Sequence, residues 1–499
     1  MKKAFRTSVV AVAASVAMVA VGTMPAYATK APTTAQYLAN ALHIKTAASP
    51  AISLGGSSFD ANLLNAVATQ YGKLDANNSA SFNAYQSSNS GTGRTNVIAG
   101  TFGIGFSDVP LNFAGQDTTD TTAYAQVPVA LGGVAIIYHT SFNSTDTVTN
   151  AFGSASTPGT NVTIAGVSTP TAVTSNGQAS GLTCAQLESA HHIAMDSATL
   201  AGIFAGTITS WTALAAQNPK LTVKVVTPIA AAVPAVGTPG VKGYKAGKPQ
   251  KNALKPVNCL SNALLATPTI SVVSRTAGSG TTFMFTDYLN QVSPAAFPVA
   301  TSAQFGAATL TGSNSAAVTA AVKNNDGAIG YTEYSYAVAN GLEAARLKNA
   351  AGIVNSLNAK NVVAAATQGL AAIVSGASGC AGKAFSLDGP TTYSANSVNT
   401  ACFSINNAPG ANTYPIAGFS YAIVKKAQTN DNTALSIAKF LEFLVSSGSG
   451  ASIDTTFGQN LAGSQYYVAM PKTVGTTAFN TLKLITLSDG TTSAVSASL

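Results

Sequence analysis

From Ile52 onward, apolar strand-like runs alternate with segments of helical period, and that alternation points to an α/β architecture. Residues Ala61 to Leu74 carry Leu64, Val67, Ala68, Tyr71 and Leu74 on an i, i+3, i+4, i+7 stripe, which turns one face of a helix to a core. Val127 to Tyr138 (VPVALGGVAIIY) reads as a buried strand interrupted at Gly132-Gly133. Thr269 to Arg275 is a β-branched strand, and Phe283 to Val292 a helix with Phe285, Tyr288, Leu289 and Val292 on one side. Ser436 to Val445 has the pattern of another core-facing helix. At 499 residues the chain is long enough for two or three domains.

Three stretches break the alternation. Residues 140–185 are dense in Thr, Ser, Asn and Gly, residues 225–258 in Pro, Ala and Lys, and residues 376–412 in Ser, Gly and Asn. They read as long surface loops rather than new cores. Cys184, Cys259, Cys380 and Cys402 fall in them or at their edges. Four cysteines allow three pairings. Cys380–Cys402 is the most local bridge and the first choice, which leaves Cys184–Cys259. CxxC spacing and HExxH are absent, and His43, His139, His191 and His192 form no ligand pattern, so neither a metal nor another cofactor is expected. No internal repeat is present.

The N-terminus reads as a targeting device. Lys2, Lys3 and Arg6 precede an apolar stretch from Ser8 to Gly22, and Ala26-Tyr27-Ala28 supplies a small-x-small cleavage pattern. Cleavage is expected after Ala28, leaving 471 of the 499 residues, with no Cys next to the cut to carry a lipid anchor. The mature chain is then expected in the periplasm or outside the cell. No later apolar run is long enough to span a bilayer. Charged residues are only 8%, against roughly 25% in an average domain, while 46% are hydrophobic, which excludes a highly charged disordered chain. Removing Lys2, Lys3 and Arg6 takes the net charge from +8 to +5, too little to argue for nucleic acid. Lys220, Lys224, Lys242, Lys245, Lys248, Lys251 and Lys255 follow one another with no acidic residue between them, as a solvated excursion does and as a patch for an anionic surface would.

Four short segments share one chemical style. Gly55-Gly56-Ser57-Ser58-Phe59 precedes the first helix, Ser90-Gly91-Thr92-Gly93 precedes a second, Ser107-Asp108-Val109-Pro110 follows a short apolar strand, and Arg275 to Thr281 (RTAGSGT) joins a strand to a helix. Small hydroxyl residues and glycines at a helix start leave backbone N–H groups and the positive end of the helix dipole free for an anion. Arg275 can add a bidentate, charge-assisted pair to an oxyanion.

The order and wording of these segments resemble the phosphate-binding proteins of bacterial phosphate ABC importers, within the type II periplasmic binding protein superfamily. Phe102 to Leu111 (FGIGFSDVPL) resembles that family's FGASDAPL, and Val127 to Val134 its FP-x-x-x-GGV strand. Leu200 to Trp211 (LAGIFAGTITSW) resembles L-x-x-I-x-x-G-x-I-x-x-W, and Val273 to Leu289 resembles R-x-D-G-S-G-T-x-x-x-F-T-x-Y-L. Gly327 to Ala337 (GAIGYTEYSYA) is similar to GAIGYVEYAYA, and Tyr414-Pro415-Ile416 with Tyr421 to Val424 to the late YPI…YAIV element. The likeness runs from about residue 52 to 471, broken only by the three loops.

The resemblance implies two α/β lobes joined by a hinge and closing over a ligand. Lobe one would be 49–135 plus 410–499, and lobe two 136–409 with insertions near 140–185, 225–258 and 376–409. Carried over motif by motif, the phosphate contacts fall on Ser58 (hydroxyl), Phe59 (backbone N–H), Ser90, the Asp108 carboxylate, Arg275, Ser279, Gly280 and Thr281. The implied partners are inorganic phosphate and the membrane subunits of an ABC transporter, with the chain itself a monomer. Asp108 would select for a protonated oxyanion, because a carboxylate facing an unprotonated sulfate oxygen is repelled. One position departs from the pattern: the acidic residue two places after the arginine is Ala277 here, which leaves Arg275 one partner short and the site one unit more positive.

Two other classes compete. An alkaline phosphatase-like enzyme would need a nucleophile with a base, or metals to activate water. The chain shows no GxSxG elbow, and the P-loop-like Gly376 to Lys383 has Ala377 and Ala384 where Gly and Ser/Thr are required. An extracellular scavenger or adhesive protein uncoupled from a transporter would fit the loops and the lysine run. Binding without catalysis is the expected role.

Overall fold

The computed structural model describes residues 44–111, 121–142, 174–175, 183–227, 253–262, 264–276, 278–297, 308–376, 404–446, 459 and 467–495. The predicted leader with its cut after Ala28, Ala277, Cys380–Cys402 and the lysines from Lys242 to Lys251 lie outside these residues.

The chain enters its core at β1 (Leu54–Gly56), followed by α1 (Ala61–Gly72), α2 (Ala76–Ala80), β2 (Gln86–Ser87), α3 (Ser90–Ile98) and β3 (Ile104–Ser107). The long β4 (Tyr124–Tyr138) comes next, then β5 (Thr174–Ser175), α4 (Cys184–His191), β6 (Ala194–Met195) and α5 (Ser197–Phe204). After β7 (Thr222–Thr227) and β8 (Ala253–Asn258) the order is β9 (Ser271–Arg275), α6 (Gly280–Val292), β10 (Leu310–Gly312), α7 (Ser315–Asn324), β11 (Ala328–Glu333) and α8 (Tyr334–Ala339). The chain then forms β12 (Glu343–Ala344), β13 (Arg346–Lys348), β14 (Val354–Asn355) and α9 (Ala359–Gly376), and ends in β15 (Ala417–Lys425), α10 (Asp431–Val445) and α11 (Lys472–Leu482).

Among the described residues one sheet runs in the order β10-β9-β11-β4-β15-β3-β1-β2, with β12 added on β4. Its centre is β4, buried along all 15 residues, which is why its sequence is near-continuously apolar. β4 changes partner midway. Tyr124 to Gly133 pairs antiparallel with β15, and Val134 to Tyr138 pairs antiparallel with β11. On one side β15 leads to β3, β1 and β2, and on the other β11 leads to β9 and β10. This mixed arrangement agrees with the α/β architecture expected from the alternation of strands and helices in the sequence.

Three local expectations need correcting. Gly132-Gly133 does not interrupt β4. The pair makes room instead: a Cβ at Gly132 would sit 2.6 Å from the Phe59 ring, and one at Gly133 would sit 2.3 Å from Leu357. Ser90 to Gly93 does not precede a helix but is its first turn, with Asn89 as the cap that accepts from the Thr92 N–H at 2.9 Å. The stretch 225–258 is not wholly loop either, because its ends form β7 and β8, which pair with each other, β7 pairing also with β5. The β-branched run Thr222 to Thr227 was masked by the Lys and Pro content around it.

The Cys184–Cys259 disulfide forms, with the two Cα atoms 5.5 Å apart and 75 residues apart in sequence. It ties the start of α4 to the residue after β8, so the ends of two long insertions are held together.

Candidate functional site

The turn from β1 into α1 is built first. The Ser57 N–H donates to the Phe106 carbonyl at 2.9 Å, and the Tyr85 hydroxyl donates to the Ser57 carbonyl at 2.6 Å. These bonds fix the backbone so that Ser57 and Ser58, both buried, present their hydroxyls inward. The Phe59 N–H donates to Ser57 Oγ at 3.0 Å, and its ring packs edge-on against Tyr467. Ser57 Oγ lies 2.9 and 2.8 Å from the two carboxylate oxygens of Asp108, at the end of β3.

Asp108 is buried and accepts from three hydroxyls. Besides Ser57, Ser90 donates to its Oδ2 at 3.2 Å and Ser420 on β15 to its Oδ1 at 2.5 Å. Burial pushes its carboxyl up to about 6, the charge of Glu333 adds to the rise, and the hydrogen bonds from Ser420, Ser57 and Ser90 oppose it. Ser420 is aimed by a bulge: between Ser420 and Tyr421 the ladder steps over an extra β4 residue, Val129, next to Pro128, which has no N–H to give. Ser420 also contacts the fully buried Asp60.

Arg275 ends β9 on the other side of the sheet. Its Nη1 lies 2.9 Å from Ser279 Oγ, 3.3 Å from Ser58 Oγ and 3.4 Å from Ser315 Oγ, and its Nη2 donates to the Ser313 carbonyl at 3.2 Å. Among the described residues Nε has no hydrogen-bond partner and no carboxylate forms an ion pair with this guanidinium. The charge is buried, 3% exposed, in a nest of hydroxyls. That environment leaves room in the electrostatic balance for an anion, since a buried cation without a counter-charge is costly.

Ser279 caps α6 by accepting from the Thr282 N–H, and the Gly280 N–H donates to Ser90 Oγ at 3.2 Å. Only glycine fits at 280: a Cβ there would lie 2.1 Å from Asp108 Oδ2. The Thr281 hydroxyl donates to Glu333 Oε1 at 2.6 Å, and so does Ser315, the first residue of α7, at 2.8 Å. Ser315 Oγ is also 2.8 Å from Ser58 Oγ. Three helix N-termini, those of α3, α6 and α7, therefore converge with the β1–α1 turn and the end of β3.

All eight residues expected from the sequence fall in this one constellation: Ser58, Phe59, Ser90, Asp108, Arg275, Ser279, Gly280 and Thr281. Ser57, Asp60, Ser315, Glu333 and Ser420 were missed. Ser57, Ser315 and Glu333 carried a signal: Ser57 and Glu333 stand inside quoted motifs, and Ser315 opens a helix after Ser313-Asn314. Asp60 read as an ordinary helix cap, and nothing local marked Ser420.

A family profile described as a PBP superfamily domain matches residues 28–447. A phosphate-binding protein PstS of Xylella fastidiosa (strain 9a5c) is 30% identical over 205 residues, 40% of this chain and 47% of the relative, so the match spans about half of that protein. The fold is similar to that of PfluDING, a high-affinity periplasmic phosphate-binding protein solved with phosphate, at a TM-score of 0.50 and 18% identity over 86% of this chain and 92% of that one. A phosphate-binding protein from Stenotrophomonas maltophilia aligns with a TM-score of 0.48 and 15% identity over 86% of this chain and 93% of that one. With the family profile covering more than half of the residues that build this fold and site, the chain belongs to the PBP superfamily.

Proposed function

We propose that the chain is an exported solute-binding protein that captures inorganic phosphate, without turning it over, and passes it to an ABC transporter. The observation that carries this reading is the pairing of opposite demands in one site. Arg275 is buried among hydroxyls with no carboxylate partner among the described residues, while Asp108 is buried a short distance across the helix termini. Arg275, the Gly280 and Thr281 N–H groups and the hydroxyls of Ser58, Ser90 and Ser279 suit oxyanion oxygens. The Asp108 carboxylate suits the one phosphate oxygen that still carries a proton. Phe59 contributes its N–H once the anion competes with Ser57 for it.

In this reading residues 49–135 and 410–499 form one lobe and residues 136–409 the other, with the partner change in β4 at Gly133/Val134 near the division. Opposed contacts such as Gly280 to Ser90 and Arg275 to Ser58 then lie across the cleft that closes on the ligand. No helix among the described residues is long and apolar enough to cross a membrane. In this reading export relies on the leader expected from the sequence, with its cut after Ala28.

The test is a calorimetric titration of the mature protein, stripped of bound anion, with phosphate and then sulfate near neutral pH. Tight phosphate binding with sulfate ignored supports the reading. Equal binding of both removes the role given to Asp108, and binding of neither removes the phosphate assignment. Recovery of the native protein from culture medium rather than periplasm would instead favour a scavenger that feeds no transporter.

A further inference from the structure

We propose that Asp60 is held as the un-ionised acid and acts through Ser420 to keep Asp108 an unprotonated acceptor, which makes Asp60 a positioning residue for anion selectivity. The proposal rests on the reading of this site as a phosphate receptor. It starts from a count of protons. Ser420 Oγ lies 2.6 Å from Asp60 Oδ2 and 2.5 Å from Asp108 Oδ1. A hydroxyl has one proton to give, so it cannot satisfy two ionised carboxylates at those distances. One carboxyl has to bring a proton of its own.

Asp60 is that carboxyl. Its side chain is fully buried, and among the described residues Oδ1 has no hydrogen-bond partner and Oδ2 meets only Ser420. Asp108 accepts from Ser57 and Ser90 as well, so its ionised form is the better stabilised of the two. Asp60 also stands at the N-cap of α1, where an Asp ordinarily accepts from a backbone N–H, and its side chain makes no capping bond. The groups bearing on it offer no compensating positive charge: they are the carboxyls of Asp108 and Glu333 and the phenols of Tyr85 and Tyr467. Burial and the Asp108 charge both raise the Asp60 carboxyl well above the usual range.

The resulting chain has one direction. The Asp60 O–H donates to Ser420 Oγ, and the Ser420 O–H donates to Asp108 Oδ1. With Ser57 and Ser90 also donating, every neighbour of Asp108 delivers a proton towards it, and the acceptor face it offers a ligand can take only an O–H. An ionised Asp60 would compete for the Ser420 proton and weaken the preference for the protonated anion.

The experiment compares wild type, Asp60→Ala and Asp60→Asn in phosphate and sulfate titrations near neutral pH, together with infrared difference spectra of wild type against Asp60→Asn. Asp60→Ala should weaken phosphate binding by about tenfold or more, because Ser420 loses the donor that orients it. Asp60→Asn should rescue binding to within about threefold, since the carboxamide N–H replaces the acid O–H without a charge and a factor that small is under 1 kcal/mol. Wild type should show the carbonyl stretch of a carboxylic acid that the Asn variant lacks, with or without phosphate. An Asn variant as weak as the Ala variant, or a missing carboxylic acid band, overturns the proposal. A present band in a protein that binds no phosphate supports the Asp60 proton and overturns the phosphate reading alone.

Discussion

Burial raises the Asp108 carboxyl, hydroxyl donors from Ser420, Ser57 and Ser90 pull it back, and the balance lies at about 6. The sign of the pH effect follows. Above about pH 6 the group is a carboxylate, which in the proposed phosphate site would accept the phosphate O–H and repel an unprotonated sulfate oxygen. Below about pH 6 it is an acid whose O–H can donate to sulfate, so discrimination should narrow as pH falls through that value. Asp108→Asn should mimic the acid form at every pH, cutting the phosphate-to-sulfate affinity ratio by about tenfold or more and flattening its pH dependence. Paired titrations above and below the midpoint measure this. A ratio that stays as high in the Asn variant as in wild type would sink the role assigned to Asp108.

Elements approach each other here at distances that single residues enforce. The N-terminus of α6 lies against the end of β3 because residue 280 has no side chain. Gly280→Ala should wedge the two apart, weaken phosphate binding by about tenfold or more and leave the far-ultraviolet spectrum unchanged, since Ala is a better helix former than Gly. Normal affinity in that variant would show that the close approach is incidental. Helix α4 carries another buried acid, Glu188, which accepts a hydrogen bond from the Tyr138 hydroxyl at the end of β4. Burial is the main cause that lifts Glu188 to about 7. A raised acid disfavours the folded state above its folded value, and that penalty fades as pH falls from about 7 towards the ordinary carboxyl value of 4.5. Glu188→Gln should therefore stabilise the protein near pH 8 by about 1–3 kcal/mol and remove this part of the pH dependence, as read from denaturant midpoints. At this scale the sequence was most legible where periodicity is strong: α1, α6, α10 and the centre of β4 lie where the apolar patterns put them. It was least legible where partners come from far away in the chain. Ser420 meets Asp108 from 312 residues away, and the 75-residue disulfide closes a segment whose β7–β8 pairing was hidden by local composition. The eight expected site residues could be named because each sits in a short motif. Asp60 and Ser420 could not, because the role proposed for them depends on contacts of Ser420 with Asp60 and Asp108 made across more than 300 residues of sequence.

At the scale of the whole molecule, the site is assembled from both ends of the sheet. Ser58, Ser90 and Asp108 follow strands on the β15 side of β4, while Arg275 ends a strand on its β11 side and Gly280 and Ser315 follow strands there. Direct bonds already join the two sets, Ser90 to Gly280, Ser58 to Ser315 and Arg275 to Ser58. An anion that replaces these contacts with hydrogen bonds to its own charged oxygens would bind only when both sets are in place, so its binding free energy would add to the stability of their association. Phosphate at about 100 times its dissociation constant should then stabilise the native state by about 2.7 kcal/mol, and sulfate at the same concentration should contribute almost nothing. The two halves should also become one cooperative unit. Scanning calorimetry without anion is expected to give a broad or split transition, and with phosphate a single sharper one at higher temperature. Arg275→Ala provides the control, because it removes the guanidinium that reaches Ser58, Ser279 and Ser315 at once and should abolish both the upward shift and the sharpening. A phosphate-induced shift of one part of a split transition, with the other part unmoved, would place the ligand within one half of the sheet and not between the two.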